Sequence, residues 1–281
     1  MSEPTTNIAL AEEEEMSFLD HLEELRWHII RSLIAIIIFA VVAFIFIRPI
    51  FDYVLLAPSR SDFWTYDLFC AFSEWVKLGD RFCLRPGSLD FQVLDITAQF
   101  MISIKSSAMI GLICAFPYLA WEIWRFIEPA LYEEEKKNAT NVVASVSFLF
   151  MVGILFGYFV LTPFSVNFFA NYKISDLILN QFKITSYISL LTTITMAAGV
   201  MFELPVAVFI LSKMGLLTPS IMRTYRKHAF VVILVIAAII TPADIWTQIL
   251  VTVPVYFLYE VSVIISGRVE RRRLAAEALS S

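Results

Sequence analysis

The chain has 281 residues, of which 59% are hydrophobic and only 17% charged, with 25 Phe and a mean hydropathy of +0.75. So few charges cannot cover so much apolar surface in a water-soluble fold, and the same figures exclude a disordered chain, a coiled coil and a nucleic-acid binder. A polytopic membrane protein remains, in which the net charge of −5 matters less than where the charges fall.

The first segment, Met1 to Glu15, ends in the run Glu12, Glu13, Glu14 and Glu15. A cleavable signal peptide opens with basic residues instead, so residues 1–15 read as a solvated acidic tail. From Met16 to Arg26 the pattern changes. Ser17 followed by Asp20 resembles a capping box that starts a helix. Phe18, Leu22, Leu25 and Ile29 then share one helical face, and Asp20, Glu24, His28 and Arg31 the other. This predicts a helix along the cytoplasmic interface before the first span. Its charges are either simply solvated or form an acidic surface for a partner.

Six segments are apolar enough to be read as spans: Ile29–Ile47, Phe100–Ile123, Val142–Leu161, Ile188–Leu211, Ala229–Ile240 and Ile245–Ile265. A full crossing takes about 20 residues. The fifth has 12, about 18 Å of helix, so the last two read as a short hairpin turning at Pro242. Six spans put both termini on one side. One set of connecting segments holds Arg26, Arg125, Lys136, Lys137, Lys213, Arg223, Arg226, Lys227, Arg268, Arg271, Arg272 and Arg273. The opposite set holds half as many: Arg60, Lys77, Arg81, Arg85, Lys173 and Lys183. The positive-inside rule then predicts both termini in the cytoplasm.

The long outer segment from about Asp52 to Gln99 carries Cys70 and Cys83. An oxidising outer compartment permits a disulfide between them; two unpaired thiols are the alternative. The patterns of soluble catalysis are missing: no Gly-x-Ser-x-Gly, no His-Glu-x-x-His and no Gly-rich phosphate loop. No His and Cys spacing suits zinc. Neither an enzyme, a metal site nor a cofactor is expected.

Two further segments invite a functional reading. Phe126 to Lys137 places Glu128, Glu133, Glu134 and Glu135 beside Pro129 and aromatic residues. Carboxylates match the planar guanidinium of arginine with two parallel hydrogen bonds, although a solvated loop neutralised by Lys136 and Lys137 fits the composition too. The second is Glu203, inside the fourth span and two residues before Pro205. A carboxylate there faces protein or water and commonly marks a working site, structural hydrogen bonding being the other explanation. Ser189, Thr192, Met196, Gly199 and Glu203 form one small, polar stripe suited to contact another helix. Pro205 deprives the Met201 carbonyl of its partner and bends the helix. Lys105 reads as a snorkelling lysine rather than a partner for Glu203. Gly153-x-x-x-Gly157 permits close backbone packing, read as packing within the chain.

Taken in order, these segments resemble the TatC family, the large multi-spanning subunit of the twin-arginine protein translocase. The resemblance rests on His21-Leu22-Glu23-Glu24-Leu25-Arg26, on Ala57-Pro58, and on the block from Phe116-Pro117 through Trp124, Phe126, Pro129-Ala130-Leu131-Tyr132 to Glu135. It continues in Phe202-Glu203-Leu204-Pro205, Thr241-Pro242-Ala243-Asp244 and Glu260, and so covers Met16 to Arg268. The chain departs from the pattern at Trp27-His28, where many relatives carry a second basic residue, and at Glu122, where some carry Gln.

The resemblance implies an all-α integral membrane protein whose six helices form a concave, glove-like bundle over residues 16–267, the last two helices short, with residues 268–281 as a cytoplasmic tail. It implies a receptor for signal peptides with consecutive arginines, on proteins exported already folded across the bacterial inner membrane at the expense of the proton-motive force. By position, His21, Glu24, Leu25, Arg26, Phe126, Pro129 and Glu135 form the recognition surface. Glu203, Gly199 and Thr192 meet the small single-span subunits, and Pro58, Pro205, Asp244 and Gln248 shape turns. Partners are those subunits, the signal peptides, the lipid bilayer and further copies in a larger complex. A small-solute transporter coupled to protons or cations through Glu203 is the alternative; it lacks a matching Glu-x-Pro in spans one to three.

Overall fold

The computed structural model describes residues 18–75, 83, 89–127, 139–175, 180–241 and 245–280. Helix α1 spans Phe18–Ile45. It breaks at Phe46 because Pro49, four residues after Ile45, has no N–H to offer the Ile45 carbonyl. A helical turn (Ile47–Ile50), a π-helical turn (Phe51–Leu55) and a 3₁₀ turn (Ala57–Ser59) lead to α2, Trp64–Trp75. Strand β1 (Phe91–Gln92) precedes α3, Ala98–Ile127, which carries Pro117 inside it. Helix α4 (Ala139–Phe156) runs through a π-helical turn at Gly157–Leu161 into α5, Thr162–Asn171. After β2 (Phe182–Lys183), which pairs in parallel with β1, come α6 (Ile184–Phe202) and α7 (Leu204–Lys213). Short α8 (Pro219–Thr224) is capped by the Thr218 hydroxyl, and α9 (Arg226–Ile240) and α10 (Ile245–Ser280) close the chain.

Among the described residues, five helical stretches are long and apolar enough to cross a membrane: Glu23–Ile45, Ala98–Ile127, Val142–Asn171, Ile184–Lys213 and Thr247–Arg271. With 15 residues, α9 reaches only about 22 Å. The fold is that of an all-α membrane protein. Two expectations need correction. The motif segment does not lie along the interface as a separate helix, because α1 continues unbroken from Phe18 through the first span. Of the two final helices only α9 is short. Helix α10 has 36 residues, since the strong helix formers from Arg271 to Ala278 prolong it past its apolar part.

Packing centres on α6. Gly153 and the π-turn Gly157 let α4 meet α6 backbone to backbone: a methyl group on Gly157 would stand 2.8 Å from the Thr195 α-carbon. Gly111 gives α3 the same approach to Ala40 of α1. Leu161, Ile194, Ala198, Ile233, Ala237, Val251 and Val255 join α6, α9 and α10 in one core, and Leu55, Ile102, Val166, Ile188 and Leu191 form another. The turn after α1 is fastened by three tyrosines from different elements. The hydroxyls of Tyr158, Tyr187 and Tyr66 donate to the carbonyls of Val54, Leu55 and Pro58. Phe63 and Phe69 pack α2 onto Phe159 and Phe164, and Cys70 and Cys83 are disulfide-bonded.

Candidate functional site

The α1–α3 pair brings the first motif and the end of α3 together. Glu24 is half-buried, Leu25 half-buried and Arg26 exposed. Four residues on, His28 is buried beside Phe126, their rings edge to face with centroids 6.2 Å apart. The imidazole has a carboxylate at each nitrogen. Its Nδ1 is 2.5 Å from Oε2 of Glu122, and its Nε2 is 3.9 Å from Oε1 of Glu24. Glu122, on α3, is 2% exposed and also accepts a 2.6 Å hydrogen bond from the Tyr118 hydroxyl. Burying a carboxylate is costly unless donors replace its water, and these two supply that replacement.

Glu24, Leu25, Arg26 and Phe126 are thus gathered at one end of the α1–α3 pair. His21 lies in α1, while Pro129, Glu135 and Asp244 lie outside the described residues. His28, Glu122 and Tyr118 were not singled out as site residues in the sequence. The only signal was the departure at Trp27-His28 and at Glu122, two positions 94 residues apart that a single chain gives no reason to pair.

The second candidate region is the broken fourth span. Helix α6 stops at Phe202, and α7 restarts with Pro205 in its first turn, as the missing N–H requires. Both carboxyl oxygens of Glu203, at the break, are buried without a hydrogen bond of standard geometry among the described residues; the Phe150 backbone is the polar group that comes near. Gly199 is buried against Phe150 and Ile154 of α4, and the Thr192 hydroxyl donates to the Ile188 and Ser189 carbonyls of its own helix. Gly199 thus meets a helix of the same chain. Lys105 donates to Ser189 at 2.9 Å and not to Glu203.

The remaining turn residues have structural work. Pro58 is buried and offers its carbonyl to Tyr66, Pro205 is buried at the break, and Gln248 donates to the Leu234 carbonyl, tying α10 to α9. Near the other end of that pair Arg226 donates to Glu260 at 2.8 Å, with the Tyr256 hydroxyl on the second oxygen.

Comparison with known proteins agrees with this architecture. The family model for Sec-independent protein translocase protein (TatC) matches residues 20–254. The Sec-independent protein translocase protein TatC of Blattabacterium sp. subsp. Periplaneta americana (strain BPLAN) is 38% identical over 93% of this chain and 99% of its own. That of Aquifex aeolicus (strain VF5) is 32% identical, over 92% and 98%. The crystal structure of the twin arginine translocase receptor TatC in DDM superposes with a TM-score of 0.71 at 32% identity, covering 88% of this chain and 99% of that one. With a matching model over most of its length and full-length relatives above 30% identity, this chain belongs to the TatC family of Sec-independent protein translocase proteins.

Proposed function

We propose that this chain is the signal-receiving subunit of a twin-arginine translocase in the bacterial inner membrane. It holds paired arginines at an acidic cytoplasmic surface and hands folded cargo to an assembly with small single-span subunits. The observation that carries the reading is Glu24: a half-exposed carboxylate on the first motif, beside His28, whose ring packs on Phe126 in the last turn of the helix that precedes Pro129 and Glu135 in the chain. A carboxylate that keeps access to solvent can accept a guanidinium, each charged hydrogen bond being worth about 1.5–3 kcal/mol before desolvation. The crystallised relative is itself a twin arginine translocase receptor.

In this reading the chain crosses the membrane six times, α9 being the short crossing, with both termini inside, which the distribution of Lys and Arg favours. His21, Leu25 and Arg26 border the guanidinium site. Glu203 docks a small subunit: a buried carboxyl without a hydrogen bond of standard geometry among the described residues loses little on turning outward, and a partner helix bringing a donor into the bilayer would draw it. Further copies and lipid complete the assembly, because one bundle of this size cannot surround a folded protein.

The test is photo-crosslinking from a reactive group at Phe126 or in the loop after it to a signal peptide. Crosslinks that disappear when both peptide arginines become lysine, and when Glu24 becomes Gln, support the receptor. Crosslinks indifferent to both changes rule it out.

A further inference from the structure

Glu122 is the only carboxylate among the described residues that is buried as a whole residue, and the receptor reading assigns it no task. Its two oxygens are taken by the Tyr118 hydroxyl, one turn back on α3, and by Nδ1 of His28 on α1. A carboxylate at Nδ1 leaves the imidazole one polar edge, Nε2, and that edge stands 3.9 Å from Glu24. Phe126 closes the ring from the side. The imidazole therefore cannot turn without giving up its bond to Glu122, and Glu122 decides where Nε2 faces.

The two contacts differ in kind. The one to Glu122 is a direct hydrogen bond, whereas 3.9 Å is too long for one but short enough for charge and dipole to act. A Glu24 in full contact with His28 would have to break that bond before receiving a guanidinium. A Glu24 with no neighbour would lose several rotamers on binding. At this separation it is aimed and, among the described residues, still vacant.

The geometry points to Glu122 as a positioning residue for Glu24, acting through His28, which it holds so that Glu24 is oriented for an incoming guanidinium. This inference rests on the receptor reading above. When arginine takes Glu24, His28 stays bonded to Glu122, so the buried carboxylate is never left bare.

The test is a double-mutant cycle on the full chain in lipid nanodiscs, titrated with a fluorescent peptide bearing consecutive arginines. Glu24→Gln is expected to weaken binding about tenfold or more, and Glu122→Gln roughly three- to tenfold. The double variant should bind no more weakly than Glu24→Gln alone, because the second residue acts only through the first. A merely structural Glu122 would weaken binding in both backgrounds, so additive losses overturn the inference. Unchanged affinity in Glu122→Gln overturns it as well. Unchanged affinity in Glu24→Gln removes the receptor reading, and this inference with it. Should Glu122→Gln fail to accumulate folded, His28→Gln and Glu122→Asp pass through the same cycle with the same expectation.

Discussion

Gly153 of α4 lies against Gly199 of α6 so closely that a methyl group on Gly153 would come within 2.8 Å of the Gly199 α-carbon and 2.7 Å of the Ala198 carbonyl oxygen. Both obstacles are backbone, which cannot rotate aside, so the two helices must separate to admit one carbon. Gly153→Ala is therefore expected to destabilise by about 1–3 kcal/mol through overpacking, and Gly111→Ala, aimed at the Ala40 backbone, by a similar amount. Gly267→Ala serves as control, because its added carbon meets nothing closer than 3.9 Å. Thermal unfolding in detergent should rank Gly267→Ala with the wild type and the other two below it.

The tyrosine bonds to the turn after α1 make a second prediction. Tyr66 donates to Pro58 from α2, outside the membrane-spanning helices, and burial raises its phenol above the usual value of about 10. Tyr66→Phe leaves the Pro58 carbonyl unpaired and should cost about 1–2 kcal/mol near neutral pH. The raised value also sets the direction of a pH effect. The unfolded phenol releases its proton first, so the stability that Tyr66 contributes is complete below pH of about 10 and is lost as pH rises beyond it. Tyr66→Phe should accordingly be less sensitive to alkali than the wild type in unfolding midpoints compared at neutral and alkaline pH.

What could be read from the chain alone follows from how local each signal is. An apolar run such as Val142–Leu161 declares a crossing helix because the bilayer demands about 20 residues, and Pro205 declares a break because a missing N–H acts on the carbonyl four residues back. Gly153 and Gly157 were legible as a close approach, with the helix approached left unnamed. The His28–Glu122 contact was illegible because it joins two helices across 94 residues, and each residue alone reads as an ordinary boundary charge. Gly199 and Thr192 are limited for the same reason: a small polar stripe shows that a helix will be met, not whether that helix is in the same chain. The length of α10 was missed because hydropathy falls after Ile265 while helix propensity does not.

The disulfide gives a third prediction. Cys70, within α2, and Cys83 close a short ring between the first two spans, a link that stabilises by restricting the unfolded chain, here by about 3 kcal/mol. Non-reducing mass spectrometry of the native protein should find both thiols protected, with Cys114 the alkylated one. Reductant should lower the unfolding midpoint of the wild type and leave that of a Cys70→Ser, Cys83→Ser variant where it is.

Glu203 separates a stabilising role from a docking role most sharply. Its carboxyl oxygens are buried at the α6–α7 break without a hydrogen bond of standard geometry among the described residues, and an unpaired buried polar group costs a fold free energy instead of supporting it. Glu203→Leu should then be as stable as the wild type or more so in thermal unfolding. If Glu203 instead held the break together, the same change would destabilise by more than about 2 kcal/mol. Docking predicts the opposite pattern of loss. Glu203→Leu should no longer copurify with the single-span subunits and should fail to export a twin-arginine reporter, while Glu203→Gln, which still accepts and donates within the bilayer, should retain part of both. A Glu203→Leu protein that is stable and fully export-competent would end the docking role, because neither the fold nor the partners would then need the carboxylate.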